Sequence, residues 1–139
     1  MIAFPRGPWS NLQYLKPSVD VDARRADAKE LVVFAVEFAM IQLAGCRHFV
    51  LENPSAWKLE EVIALCERDD VLEVVVDTCR FGLRSAEGGY QKKATKPVTS
   101  SQALITAFWN QRCLGDHMHS HVIGGSKITN AAGHYTVEF

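Results

Sequence analysis

The sequence lacks the features that mark several common protein classes. Its formal net charge is -1, so no global electrostatic attraction to nucleic acid is expected, and any such contact has to be local. The longest apolar stretch, LVVFAVEFAMIQLAG, is interrupted by Glu37 and is too short to span a bilayer comfortably. We therefore expect neither a membrane protein nor a strongly basic nucleic-acid-binding domain.

The sequence lacks cysteines arranged in CxxC pairs. The four cysteines are scattered along the chain, which suits a reducing cytosol better than a disulfide-stabilised secreted domain. The N-terminus turns to proline within a few residues, unlike a secretory signal. These features predict a cytoplasmic protein.

What is present is an ordinary globular composition in an alternating pattern. The 139 residues, of which 47% are hydrophobic and 22% charged, predict a single domain over 1–139. Apolar strand-like runs alternate with helix-like segments, which predicts an α/β fold with a small, mostly parallel sheet between layers of helices. The predicted strands are Ile2–Phe4, HFVLEN, VLEVVVDTC and KPVTS, and the predicted helices are Ala23–Ala44, KLEEVIALCERD and a segment from Ser100 or Ser101 to Trp109.

The predicted long helix has clear boundaries and two apolar stripes. Asp20 or Asp22 can cap its start, and Gly45 ends it. A helix that is apolar on more than one face is expected to be buried on both sides, by a sheet and by a second layer or another subunit. The stripes are Leu31, Phe34, Phe38 and Ile41, and Val32, Val33, Val36 and Met40.

Three loops follow predicted strands, and they carry a family resemblance. FPRGPWSNLQ, HFVLENP and CRFGLRSAEGGYQKK, in this order, resemble the second half of the catalytic domain of cytosine-5 DNA methyltransferases. That family has a Pro-Pro-Cys loop followed by a serine, a strand ending in Glu-Asn-Val, and an FG-x-P-Q-x-R-x-R segment. The resemblance covers 2–99 and implies a truncated Rossmann-like domain, with 100–139 as a C-terminal helix and a His/Gly-rich extension.

The resemblance implies a pocket where these loops meet. The family's glutamate, which holds the ring of a cytosine flipped out of the duplex, corresponds to Glu52, and Asn53 and Ser10 accompany it. Arg6 and Trp9 lie in the first loop. The wider set of candidate ligand-binding residues adds one thiol at the third strand end and two lysines of a basic loop: Cys79, Lys92 and Lys93.

Two departures argue against catalysis by this chain. Arg6 stands where the family has its nucleophilic cysteine, and a guanidinium cannot attack a ring carbon. No GxGxG-like loop follows a strand, so S-adenosylmethionine is expected only if a partner supplies its site. Arg6 then has two alternative roles, which are binding an anion such as a phosphate and pairing with Glu52 in a disused pocket.

A second group of chemistry-bearing residues lies near the C-terminus. The stretch CLGDHMHSH places Cys113, His117, His119 and His121 together, and these residue types bind zinc. Alternating histidines share one face only in an extended chain. They are therefore either zinc ligands, with Cys79 as the best further ligand, or solvent-exposed and structural histidines.

Three hypotheses about function follow. The favoured one is a degenerate, non-catalytic methyltransferase-like domain that binds DNA or a nucleotide-like ligand. The alternatives are a structural or interaction protein with a vestigial pocket, stabilised by zinc, and one half of a split DNA methyltransferase. A homodimer is also expected, because Ile2–Phe4 would be an exposed edge strand and the long helix has a second apolar face.

Overall fold

The computed structural model describes residues 2–3, 20–52, 59–85 and 87–120, and these form a mixture of helices and short strands. None of the described helices is long and apolar enough to cross a membrane. The elements, in chain order, are β1 (Ile2–Ala3), α1 (Val21–Ala44), β2 (Val50–Glu52), α2 (Glu60–Cys66), β3 (Leu72–Glu73), β4 (Val76–Asp77), a 3-10 helix (Thr78–Phe81), β5 (Ala94–Thr95), β6 (Pro97–Thr99) and α3 (Gln102–Phe108).

Helix α1 begins two residues before the predicted start at Ala23, with Asp20 of the two candidate caps at its N-terminus, and it ends at Ala44 as predicted. The Asp20 side chain accepts a hydrogen bond from the backbone N–H of Ala23 at 3.0 Å, which satisfies one of the free amides of the first turn. At the other end, the Gly45 N–H donates to the carbonyls of Ile41 and Gln42. The predicted cap and the predicted end are both confirmed.

Neither predicted apolar stripe of α1 forms its buried face: of the second stripe only Val32 is fully buried, and Met40 is 39% exposed. The side turned to the core carries small residues: Ala28, Val32, Ala35 and Ala39. Small side chains allow the helix backbone to approach its neighbours closely. The stripe of larger residues is exposed, with Leu31 50%, Phe34 61%, Phe38 40% and Ile41 58% accessible, so the expectation that both stripes are buried is not met within the described residues.

Strands β1, β2, β6 and β3 form one sheet in that order. β1 pairs with β2 in parallel, Ile2 opposite Leu51 and Ala3 opposite Glu52, so the first two predicted strands do end side by side. β6 is antiparallel to both β2 and β3. The mostly parallel sheet is therefore not found among the described strands, because β6 is inserted between two strands that themselves run in the same direction.

The predicted strand VLEVVVDTC is divided between two sheets. Its first part forms β3, and its second part forms β4, which pairs antiparallel with β5 in a separate two-stranded sheet. The chain groups into two compact units, and the division falls inside this run. Unit 1 comprises Met1–Val74 and Lys96–Ala107, and unit 2 comprises Val75–Thr95 and Phe108–Phe139.

The hydrophobic core of unit 1 lies between its helices and its sheet. α1 and α2 supply aliphatic side chains that pack on the central strands, and removal of this apolar surface from water is the main stabilising contribution. The buried members are Val32, Ala35, Ala39, Phe49, Leu51, Val62, Leu65, Val71 and Val98.

Candidate metal centre

The first cysteine of the site, Cys79, lies in the 3-10 helix that follows β4. Its side chain is buried, with 3% of the residue exposed. Thr78 fixes this turn, because its Oγ1 accepts from the Lys93 N–H at 3.0 Å and donates to the Gln91 carbonyl at 3.2 Å. Gly82, with φ +74°, ends the turn in the left-handed region that glycine adopts without strain. The position of Cys79 is thus set by the hydrogen bonds of the neighbouring Thr78 hydroxyl to the backbone of Gln91 and Lys93.

Asp77 anchors the segment that carries the other candidate ligands. Its Oδ2 accepts from the Cys113 N–H at 2.8 Å and from Arg112 Nε at 3.0 Å, while its own N–H donates to the Gln111 carbonyl at 2.9 Å. The carboxylate is fully buried. Buried charge is tolerated only when it is paired and hydrogen-bonded, so these contacts hold the start of the segment against β4.

The chain then turns so that its thiol and imidazoles converge. Gly115 adopts φ +77°, and its N–H donates to Cys113 Sγ at 3.4 Å. The same sulfur lies 3.8 Å from His117 Nε2 and 3.3 Å from His119 Nε2. His119 bridges to Tyr90, and its ring centroid lies 4.6 Å from that of His117, so the two alternating imidazoles lie side by side.

Four ligand atoms meet at this point. The Sγ atoms of Cys79 and Cys113 and one ring nitrogen each of His117 and His119 all lie within 4.8 Å of one another. For tetrahedral zinc with its usual bond lengths, neighbouring ligand atoms are about 3.3–3.8 Å apart. The two sulfur–nitrogen distances above fall in this range. The donor set and its dimensions therefore fit a Cys2His2 zinc site, and closure around the ion needs only small movements.

Asp116 orients one of the histidines. Its Oδ1 lies 2.8 Å from His117 Nδ1, so Nδ1 carries the proton that is donated and the lone pair of Nε2 is turned toward Cys113. Arg80 Nη1 lies 3.6 Å from the other oxygen of the carboxylate. A carboxylate behind a ligating imidazole is the usual outer partner of zinc-bound histidine.

The electrostatics of the site favour a bound cation. Burial first of all, then the hydrogen bond and the charge of Cys113, and to a smaller extent Asp77, together raise the pKa of the Cys79 thiol from 9.0 to about 11. Two adjacent sulfurs and a buried carboxylate thus disfavour a thiolate at Cys79. A divalent cation reverses this preference, because coordination removes the thiol proton.

The structure brings together most of the zinc candidates that the sequence supplied. Cys113, His117 and His119 converge, and the fourth ligand is Cys79, the residue predicted as the best addition. His121 lies outside the described residues. Sequence reasoning missed Asp77, Gly115 and Asp116, which position the ligands. Two of these residues could have been found from the sequence as acids close to candidate ligands: Asp116 is next to His117, and Asp77 lies two residues before Cys79.

The predicted nucleotide pocket is described only in part. Glu52 is buried at the end of β2, beside Ala3 of β1, as expected for a residue at a shared edge of the sheet. Lys92 is exposed, and Lys93 is half-buried with its backbone paired to Thr78. The remaining candidates lie outside the described residues, and they are Arg6, Trp9, Ser10 and Asn53.

Comparison of the chain with protein-family models, with curated proteins and with solved structures found no match. The resemblance to cytosine-5 DNA methyltransferases stays a prediction.

Proposed function

We propose that this chain is a zinc-stabilised structural or interaction protein, in which Cys79, Cys113, His117 and His119 hold one zinc ion. The observation that carries the proposal is the convergence of these four ligand atoms within 4.8 Å. Two thiolates and two neutral imidazoles are a preferred ligand set for Zn²⁺. Four protein ligands leave no open coordination position for water or substrate, so the proposed role of the ion is structural.

The size of unit 2 supports a structural role for the metal. Within its described part, the regular secondary structure consists of two short strands, a 3-10 turn and the end of α3, and the buried apolar residues are Val76, Cys79, Leu83 and Phe108. So small a core rarely supplies enough free energy to order a chain segment by itself. Metal coordination is one of the usual means of stabilising such a unit.

Metal analysis of the purified full-length chain tests the proposal. We expect one zinc ion per chain, and cobalt substitution should give the visible absorption of a tetrahedral site together with thiolate-to-cobalt charge-transfer bands. Chelation should lower the melting temperature. A ligand present at 1,000 times its Kd stabilises the folded state by about 4 kcal/mol. For a domain of this size that is roughly 10–20 °C.

The chain supplies its own controls for this experiment. Cys113→Ser should abolish stoichiometric zinc, whereas Cys66→Ser and Cys46→Ser should retain it, because neither of these cysteines belongs to the cluster. Retention of zinc by the Cys113→Ser and Cys79→Ser variants, or a native chain without stoichiometric metal, would refute the proposal.

A second candidate function is binding of a nucleotide-like ligand or DNA at the end of β1 and β2. The parallel register of these strands and the burial of Glu52 at their shared edge favour it, as expected for ligand sites at the carboxyl ends of parallel strands. A thermal-shift screen with S-adenosylmethionine, nucleotides and short DNA tests it. A shift that Glu52→Gln abolishes supports this function, and no shift with any ligand refutes it.

A further inference from the structure

We infer that Cys79 and Cys113 form a modification site for hydroperoxides, at which oxidation produces a disulfide and thereby removes two of the four proposed zinc ligands. Formation of the disulfide depends only on the two thiols. Release of zinc rests on the proposed function.

The proximity of the two sulfurs carries this inference. The Cys79 and Cys113 Sγ atoms lie within 4.8 Å of each other. A disulfide needs a sulfur–sulfur distance of about 2.05 Å, which side-chain rotation and a small shift of the turn at Gly115 can supply. Both cysteines are thiols in the structure.

The two thiols differ in access, which assigns their roles. Cys113 is half-buried, whereas only 3% of Cys79 is exposed, so a peroxide in solution reaches Cys113 first. The Gly115 N–H, 3.4 Å from Cys113 Sγ, and the adjacent imidazoles give hydrogen-bond partners to an oxidised sulfur at this position. Cys79 is the resolving cysteine, since it is the nearest second thiol of the cluster.

In the metal-free chain the chemistry balances in two steps; in the zinc-bound chain both sulfurs are thiolates, and solvent supplies the same two protons. Cys113 sulfur attacks the terminal oxygen of the hydroperoxide, the O–O bond breaks, and the thiol proton passes to the departing alkoxide, which gives a sulfenic acid and an alcohol. Cys79 sulfur then attacks the sulfenic sulfur, the S–O bond breaks, and the Cys79 proton leaves with the hydroxyl group as water. Two thiols are oxidised to one disulfide, and one hydroperoxide is reduced.

The consequence for the metal follows from the ligand set. A disulfide sulfur is a poor zinc ligand, so only His117 and His119 would continue to hold the ion. Each disulfide formed should therefore release one zinc ion into solution.

The test uses the full-length chain, as purified and after removal of metal, treated with hydrogen peroxide. Non-reducing digestion and mass spectrometry should find the Cys79 and Cys113 peptides linked, with the mass of two hydrogen atoms lost. A chromogenic chelator should detect zinc release in proportion to the disulfide. The Cys46→Ser, Cys66→Ser double variant should behave like the unchanged chain.

The single variants distinguish the two roles. Cys79→Ser should stop at a sulfenic acid on Cys113 that a dimedone probe captures, and Cys113→Ser should oxidise at least about tenfold more slowly. If either variant fails to fold, peptide mapping of the unchanged chain still decides whether Cys79 and Cys113 become linked. A disulfide involving Cys46 or Cys66, or no linked peptide, would overturn the inference. A linked peptide in a chain that binds no zinc would leave it standing and refute the zinc proposal alone.

Discussion

The Asp116 carboxylate lies 2.8 Å from His117 Nδ1, and this contact determines which imidazole nitrogen faces the cysteines. With the proton held at Nδ1, the Nε2 lone pair is available 3.8 Å from Cys113 Sγ. If His117 holds zinc as proposed, Asp116 is its positioning residue, and the zinc affinity should depend on Asp116.

We expect Asp116→Ala to weaken zinc binding about 10- to 100-fold, the usual effect of losing an outer partner of a ligating histidine. Asp116→Asn should lie between this variant and the unchanged chain, because its amide oxygen still accepts from Nδ1. Competition against a chelator of known affinity measures the change. Asp69→Ala, at an exposed acid outside the cluster, is the matched control. Equal affinity in all four proteins would contradict the assignment.

Removal of the Asp77 carboxylate should destabilise the fold more than removal of a surface acid. Asp77→Ala leaves the Cys113 N–H without its acceptor and should lower the free energy of unfolding by about 1–3 kcal/mol. Asp70→Ala breaks an exposed ion pair with Arg68 and should cost less than about 1 kcal/mol. Urea denaturation of both variants gives the comparison. A larger loss for Asp70→Ala would be inconsistent with the anchoring role.

Stability of the metal-free protein should fall as pH rises from about 9 to 11. The folded protein keeps the Cys79 proton up to about pH 11, whereas the unfolded thiol releases it near its ordinary pKa of 9.0. Raising the pH therefore favours the unfolded state, by at most about 3 kcal/mol over this interval. Urea denaturation at several pH values measures the free energy of unfolding. Between about pH 9 and 11 this free energy should fall less steeply with pH for Cys79→Ser than for the unchanged chain, and an identical pH dependence would contradict the raised pKa of Cys79.

The exposed stripe of α1 gives the predicted homodimer a specific test. Phe34 and Phe38, with ring centroids 6.3 Å apart, lie at its centre. If the stripe is the dimer contact, Phe34→Asp should produce a monomer in light scattering while the helical circular dichroism is kept. Met40→Asp puts the same charge at an exposed apolar residue of α1 that lies outside this stripe, and it should remain dimeric. An unchanged chain that is monomeric would refute the predicted dimer.

Local signals allowed α1 and its cap to be predicted, because Asp20 and Gly45 act within one turn of the helix ends. Pairing of β1 with β2 was also predictable, since a long helix joins them. The insertion of β6 between β2 and β3 could not be predicted, because the position of this short strand in the sheet depends on contacts distant in sequence. The division of VLEVVVDTC between two sheets could not be predicted either. A continuous β-branched run contains no turn or breaker residue that shows where the chain leaves one sheet and enters the other.

Three zinc candidates were recognisable because they lie within seven residues of sequence, about one short loop. Their irregular spacing could not distinguish zinc ligands from exposed histidines. The bridge of His119 to Tyr90 brings its imidazole next to that of His117, and this contact depends on a residue distant in sequence. The anchoring contact of Asp77 with Cys113 could not be predicted, since it joins residues 36 positions apart through a backbone amide.

The two ligand segments are separated along the chain by residues of unit 1, among them β6 and α3. A metal that joins Cys79 to Cys113 is therefore a cross-link across a loop of about 34 residues, and by the chain-entropy relation such a link restricts the unfolded ensemble by about 4 kcal/mol. This restriction applies to a denatured chain in which both cysteines keep the ion, and there it shortens the conformational search that brings β6 back into the sheet. Loss of the ion should then slow refolding as well as lower stability.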